Sequence, residues 1–268
     1  MTRRRAAPGK VAKRKAPDVD SRPMRHLILS DLHANLEATR SVLADARARG
    51  FDRTAVLGDI VGYGANPNEV IDLIRDLHPD AIVRGNHDKA ASGITEGDTF
   101  NDIARAAVLW TRGALTPENL EYLRSLPAGP ADPGGFLIAH GSPLDEEDYI
   151  LGEIDATEAF GELDFEVAFF GHSHFACFFM AAGGRPRLRM VGGDHHLITL
   201  ETGSRYLINA GSIGQPRDHN PKASYAIYDT AARTVEVRRV AYDVKGAQAR
   251  IEAAGLPAVL AQRLALGV

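Results

Sequence analysis

Cysteine is all but missing from this chain: Cys177 is the only one in 268 residues. That excludes an internal disulfide and leads us to expect a reducing, cytoplasmic setting. Long apolar runs are missing too. None approaches the roughly 20 residues that cross a bilayer, so no membrane span is expected. The basic N-terminus lacks the apolar stretch that a secretory or twin-arginine signal requires. Residues 1–23 hold almost no large apolar side chain, but they do hold Pro8, Pro17 and Pro23. They are expected to be a disordered basic tail, with residues 24–268 as one domain. Acidic residues are scarce at that start: residues 1–25 carry nine basic and two acidic side chains. The whole chain has a net charge of −4, so the remainder sits near −11. An acidic body makes a large nucleic-acid surface an unlikely partner except for weak contact through the tail, and it suits cations better. Hydrophobic content of 44% and charged content of 25% are ordinary for a globular enzyme with a well-buried core.

What is present is a rhythm of short apolar runs and helical patterns. His26 to Asp31 reads as a buried strand, and Asn35 to Arg49 as a helix. Asn35 caps that helix, Leu36, Val42, Leu43 and Ala46 form its stripe, and Gly50 ends it. Strands follow at Thr54–Asp59 and Ala81–Asn86, with a helix over Asn68–Leu77 between them. This βαβαβ order implies a parallel sheet. Residues 99–126 read as two helical pieces broken near Thr116-Pro117. Strands are then expected at 136–140, 167–171, 177–182, 187–191, 195–201, 206–210, 224–229 and 234–242. The close spacing of the later ones predicts antiparallel hairpins in a second sheet. Residues 245–265 are rich in Ala and Leu and read as helix.

Five of these apolar strands end in residues of metal-binding type. The ends read Asp31-Leu32-His33, Gly58-Asp59, Gly85-Asn86-His87-Asp88, His140-Gly141 and Gly171-His172-Ser173-His174. In open α/β sheets ligands bind outside the carboxyl ends of the strands, so these groups should converge in one crevice. The set offers Asp, Asn and His without Cys, which suits Mn, Fe, Co, Ni or Zn. Each motif alone has an ordinary reading. Asp-Leu-His and Gly-Asp are common turn chemistry. His172 and His174 would share a face on a strand, as a buried structural pair also would. All five in this order would require five coincidences.

The series Asp31-x-His33, Gly58-Asp59, Gly85-Asn86-His87-Asp88, His140 and Gly171-His172-x-His174 resembles the calcineurin-like metallophosphoesterase superfamily. Residues 58–64 and 209–218 are similar to its small prokaryotic branch of YfcE-like and diadenosine-tetraphosphatase-related phosphodiesterases. The resemblance implies a four-layer αββα sandwich, with two mixed β-sheets flanked by helices. It also implies two divalent ions, manganese foremost. Asp31, His33, Asp59 and His174 would hold the first ion; Asp59, Asn86, His140 and His172 would hold the second, with Asp59 as the bridge. His87 would stabilise or protonate the leaving oxygen, and Asp88 would orient His87. The family more often has Pro where this chain has Ala210, which puts the rigidity of that turn in doubt.

The expected reaction is hydrolysis of a small phosphate ester, most plausibly a diester or nucleotide, by a hydroxide formed between the two ions. A phosphomonoesterase or protein phosphatase, a dinucleoside polyphosphate hydrolase, and a metal-dependent binding or scaffold protein remain alternatives. The intact His87 argues against the last, because a binding module needs no leaving-group acid. Arg217 either clamps a phosphoryl oxygen or closes a loop ion pair with Asp218 or another acid. Tyr63 and Asn66 either reach substrate or serve the turn. Asp145 to Asp148 reads as a solvated acidic face, His195-His196 as a surface hairpin pair, and His219 as a possible neighbour of the site.

Overall fold

The computed structural model describes residues 24–268. The basic segment expected to be a tail, residues 1–23, lies outside the described residues. β1 (Arg25–Leu29), β2 (Arg53–Val56) and β3 (Ala81–Ile82) pair in parallel through α1 (Leu36–Arg49) and α2 (Pro67–Asp76). The local signals act as expected at α1. The Asn35 side chain accepts the Ala38 N–H at 3.1 Å, and Gly50 closes the helix at φ 76°. The third strand is shorter than the sequence pattern predicts. It ends at Ile82, and Asn86 already opens a helix, α3 (Asn86–Ala91).

Three helices follow: α4 (Asp102–Ala114), α5 (Pro117–Ser125) and, beyond β4 (Leu137–Ile138), α6 (Glu153–Glu162). Next come β5 (Val167–Phe170), β6 (Ala176–Ala181), β7 (Arg187–Met190), β8 (His195–Thr199), β9 (Arg205–Ala210), β10 (Ala223–Asp229) and β11 (Thr234–Val240). The expected C-terminal helix is two, α7 (Val244–Ala253) and α8 (Ala258–Leu266), parted at Gly255-Leu256-Pro257.

The strands form two mixed sheets, ordered β3-β2-β1-β10-β11-β8 and β4-β5-β9-β6-β7. The expected antiparallel hairpins form at β6-β7 and β10-β11, but their assignment to one second sheet needs correcting. β8, β10 and β11 join the first sheet, and β9 runs parallel to β5 but antiparallel to β6. Sequential spacing cannot reveal such crossings, because pairing is decided by which edge is free.

Alternation along the strands builds the layers. Leu27 and Leu29 of β1 face α1 and α2, while Ile28 faces the second sheet. Val167 and Phe169 of β5 point back between the sheets, and Ala168 and Phe170 pack against α6. The result is the four-layer αββα sandwich. A further cluster joins α4, α7 and α8 to Tyr63, so the C-terminal helix pair flanks the loop that follows β2. No helix among the described residues is long and apolar enough to cross a membrane.

Candidate metal centre

The loops that leave β1 and β2 continue the parallel pairing beyond the strands. Asp31 N–H donates to Gly58 O at 3.1 Å, His33 N–H to Asp59 O at 2.9 Å, and Ala34 N–H to Ile60 O at 2.9 Å. This ladder carries Asp31, His33 and Asp59 to one side of the sheet edge. Two motif glycines explain themselves by close approach. A Cβ on Gly85 would lie 2.0 Å from Asp59 Oδ1, and one on Gly171 would lie 2.1 Å from Ser30 Oγ. The backbone bends sharply to aim the ligands. Asp31, His33, Asp59, His172 and His174 all sit at positive φ, between 48° and 65°. Such strain persists only where surrounding structure over-determines it, and it collects at functional sites. His172 and His174 therefore do not share a strand face, as their spacing suggested. They lie beyond β5 on a left-handed bend and present different ring nitrogens.

The imidazoles are locked from behind. Nδ1 of His33 faces Val61 O at 3.1 Å, Nδ1 of His140 faces Leu57 O at 2.9 Å, and Nδ1 of His174 faces Gln215 O at 2.6 Å. A carbonyl oxygen only accepts, so each Nδ1 carries a proton and each Nε2 turns inward, as a bare lone pair on the neutral rings of His33 and His174. Those inward nitrogens then crowd against one another and against other polar atoms. His33 Nε2 is 3.1 Å from His174 Nε2. His140 Nε2 is 3.0 Å from Asn86 Oδ1 and 3.1 Å from His172 Nδ1. Asp59 Oδ2 has no hydrogen-bond partner, yet lies 3.4 Å from His140 Nε2 and 3.6 Å from His33 Nε2. Buried acceptors facing acceptors are costly unless a cation lies among them. The donor set fits divalent ions. Its atoms fall into two groups, Asp31, His33, Asp59 and His174, and Asp59, His140 and His172, each within 4.8 Å. Asp59 is common to both, and Asn86 joins the second through its contact with His140.

The electrostatics agree. Burial holds His33 and His174 well below the usual imidazole range, so they stay neutral and able to ligate. Burial, helped by the His140 charge, pushes His172 down to about 3. Burial would raise Asp59, but His140, His87 and His33 outweigh it and hold the carboxylate well below its usual value. Burial would lower His140, but the Asp59 and Asp31 carboxylates lift it to about 10. The cluster draws positive charge to its centre. Burial lifts Asp31 to about 6, although its Oδ2 accepts the Ser30 hydroxyl at 2.6 Å and its Oδ1 the His172 N–H at 3.1 Å.

His87 borders this centre. Its N–H donates to Asp59 Oδ1 at 2.9 Å, and its ring packs on Tyr63 at 4.3 Å and on Phe100 at 4.7 Å. Burial lowers it to about 4. Asp88 does not orient it. The Asp88 carboxylate accepts Val61 N–H at 3.1 Å and Gly85 N–H at 3.0 Å, while His87 Nδ1 has no partner. Asp88 ties the start of α3 to the loop after Asp59, which is a structural duty.

Arg217 reaches Tyr63 Oη at 3.3 Å and Gln215 Oε1 at 3.2 Å, with its guanidinium carbon 5.8 Å from the Tyr63 ring centre. The alternative ion pair with Asp218 does not form; Asp218 is taken by Arg239. Asn66 serves its turn, bonding Glu69 at 2.8 Å. His195 pairs with Glu236 at the far edge of the first sheet, and His219 is exposed. The acidic run is less free than expected, because Glu146 holds Arg84 at 2.9 Å and Lys89 at 2.8 Å. Ala210 does not loosen its turn. Ser212 Oγ donates to Asp31 O at 2.8 Å, and Gly211 N–H to Asn209 Oδ1 at 2.8 Å.

Sequence patterns gave no notice of Phe100, Tyr149, Lys89 and Arg263. Tyr149 stacks on His172 at 3.7 Å. With Phe100, Lys89 and the 95–99 loop it lines an open groove of about 520 Å³ that reaches Asn86 and His172. No motif marks these residues, since their chemistry depends only on which loop comes to rest beside the crevice.

Comparison with known proteins places this geometry among relatives. Residues 24–233 match the model of the calcineurin-like phosphoesterase superfamily domain. The chain is 40% identical over 246 residues to an uncharacterized protein of Methanocaldococcus jannaschii, covering 90% of this chain and 97% of that one. A metallophosphoesterase crystal structure from Sphaerobacter thermophilus is 41% identical and covers 92% of this chain and 100% of its own, with a TM-score of 0.81. A hypothetical protein from Pyrococcus horikoshii, 22% identical, shares the fold over 91% of this chain and 98% of its own at a TM-score of 0.72.

Proposed function

The chain belongs to the calcineurin-like phosphoesterase superfamily, and from that premise we propose that it is a two-metal phosphodiesterase acting on small diesters or nucleotides. The observation that carries this reading is the Asp59 carboxylate, whose partnerless Oδ2 belongs to two groups of inward-facing acceptors. Asp31, His33, Asp59 and His174 hold one divalent ion in this proposal; Asp59, Asn86, His140 and His172 hold the other. The mixed nitrogen and oxygen donors suit Mn, Fe, Co, Ni or Zn; the family resemblance puts Mn²⁺ first. Ions bound there supply Lewis acidity toward phosphoryl oxygens and lower the pKa of water.

The chain's own groups do the rest. The carbonyls of Val61, Leu57 and Gln215 fix three imidazole tautomers and orientations. His87 offers a ring nitrogen to the leaving oxygen. Tyr63 and Phe100 pack on its ring and keep bulk water from its faces. Arg217 stands at the edge of the centre, its guanidinium on Tyr63 and Gln215, and supplies a planar fork for a substrate phosphoryl oxygen, of the reacting phosphate or of another. A diester carries a substituent on each side of phosphorus, and the open groove of Phe100 and Tyr149 beside His172 has room for one of them. A chain with one cysteine, and so no internal disulfide, is compatible with the reducing cytoplasm, which is the setting proposed.

The test is a panel of diesters, monoesters and dinucleoside polyphosphates given to the metal-loaded protein. Faster turnover of diesters supports the proposal. A preference for monoesters would assign the chain to the phosphomonoesterases, and no turnover on any of them would leave a binding protein.

A further inference from the structure

Two arginines meet beside the metal centre without an acid between them. Arg217 follows β9, and Arg263 comes from α8, near the C-terminus. Arg217 Nη2 and Arg263 Nη1 donate to one oxygen, Gln215 Oε1, at 3.2 and 3.3 Å. Among the described residues neither guanidinium pairs with a carboxylate; Asp218, the nearest acid in sequence to Arg217, is held by Arg239. Three further donors here are buried without a partner: Arg217 Nε, Arg263 Nε and Gln215 Nε2. Burial and the charge of Arg217 both press the Arg263 pKa below its usual value. A neutral amide oxygen is thus the shared acceptor for two cations, and three nearby N–H groups have none.

Such a cluster is a seat for an anion with several oxygens. A phosphoryl group carries about −1.5 to −2 charges near neutral pH and three acceptor oxygens, a better match to two guanidiniums than one carboxylate. The seat is tied to the catalytic centre through one residue. Gln215 O accepts Nδ1 of His174, and Arg217 N–H points to His174 O. It also depends on α8, which lies beyond the residues 24–233 matched to the superfamily domain.

We propose that Arg217, Arg263 and Gln215 bind a second phosphoryl group of the substrate, so that the favoured substrates are phosphoesters bearing a further phosphate. This rests on the phosphoesterase reading for its catalytic half but not for its binding half. The experiment uses the full-length, metal-loaded protein and two measurements. In the first, inorganic phosphate is titrated calorimetrically into the wild type, Arg263→Gln and Arg263→Lys. Arg263→Gln should take up one phosphate fewer per chain than the wild type, and Arg263→Lys should bind that phosphate roughly tenfold more weakly, because a single ammonium lacks the fork. In the second, kcat/KM is compared for the p-nitrophenyl ester of thymidine 5′-phosphate with and without a 3′-phosphate. The wild type should favour the doubly phosphorylated ester by about tenfold, and Arg263→Gln should bring that ratio near one. Equal phosphate uptake by wild type and both variants, or a ratio unchanged in Arg263→Gln, overturns the proposal. Loss of one phosphate in Arg263→Gln without hydrolysis of either ester would sink the phosphoesterase reading and leave the anion seat standing.

Discussion

The side chain on which most depends is Asp59. A shared carboxylate neutralises two cations at once, whereas a neutral amide leaves them facing each other at short range. Asp59→Asn should therefore lose more metal than removal of any single flanking donor, such as Asn86→Ala or His174→Ala. Elemental analysis of dialysed protein checks this, and metal content equal to wild type would refute the shared role. His87 is different in kind. It lies against the centre through Tyr63 and Phe100 but belongs to neither donor group. His87→Asn should keep its metal and its fold. Turnover should fall by about 10²–10⁴ on an ester with a poor leaving group, and less on a nitrophenyl ester, whose oxygen needs little help to depart. Loss of a metal ion, or equal impairment on both esters, would overturn the leaving-group role of His87. At this scale the sequence was most legible. Asp31, His33, Asp59, His140, His172 and His174 stand together in the structure, with Asn86 against His140. Asp88 was misread, because adjacency to His87 in sequence says nothing about where its carboxylate points.

Elements carry the second kind of dependence, and α1 shows it well. Asp45 near its end is held by Tyr225 of β10 at 2.6 Å, by Arg238 of β11 at 3.1 Å and by Arg49 at 3.0 Å. Burial would raise the Asp45 pKa, but these hydrogen bonds and the nearby charges win and bring it to about 2. A carboxylate with a depressed folded pKa stabilises the native state above its unfolded value, near pH 4. That contribution fades as the pH falls toward 2. Asp45 is partly solvated, so roughly 1 kcal/mol is the scale to expect after screening. Asp45→Asn should accordingly lower the urea midpoint at pH 7, and the gap to wild type should narrow below pH 4 and close only as the pH approaches 2. A gap that stays constant with pH would remove Asp45 as the cause. Elements were less legible than residues. A short helix buried nearly all round, such as α3, has no amphipathic face to detect, and α6 buries only Ala156, Ala159 and Phe160. Both were missing from the sequence pattern for that reason.

At the scale of the whole molecule, the seven candidate donors come from both sheets and only the fold assembles them, so metal binding in the proposed site would be coupled to folding. Ions that bind the native but not the unfolded chain stabilise it by about 2.7 kcal/mol each at 100 times the dissociation constant. For a domain of this size that corresponds to a melting shift of roughly 5–10 °C for one ion and more for two. Prolonged dialysis against EDTA should lower the calorimetric melting temperature by at least that amount, and Mn²⁺ should restore it along with hydrolysis. Identical melting curves with and without chelator would mean that the acceptor clusters hold no metal that matters.

By itself the sequence determined the parallel β1-β2-β3 start, the seven candidate donors that the fold brings together and the superfamily, because apolar runs, glycines and ligand types leave local signatures. The glycines at 85 and 171 are visible in the motifs, but the structure supplies their reason, since an Asp59 carboxylate oxygen and the Ser30 hydroxyl occupy the space a side chain would need. Only the tertiary structure decided that β8, β10 and β11 leave the later hairpins for the first sheet, and that Asp88 serves a backbone turn. It alone brought Tyr149 over His172 and Arg263 to Gln215, 48 residues away. Side chains that meet from distant loops are selected by how layers stack and edges are filled. That packing is a property of the whole chain, and no local spacing encodes it.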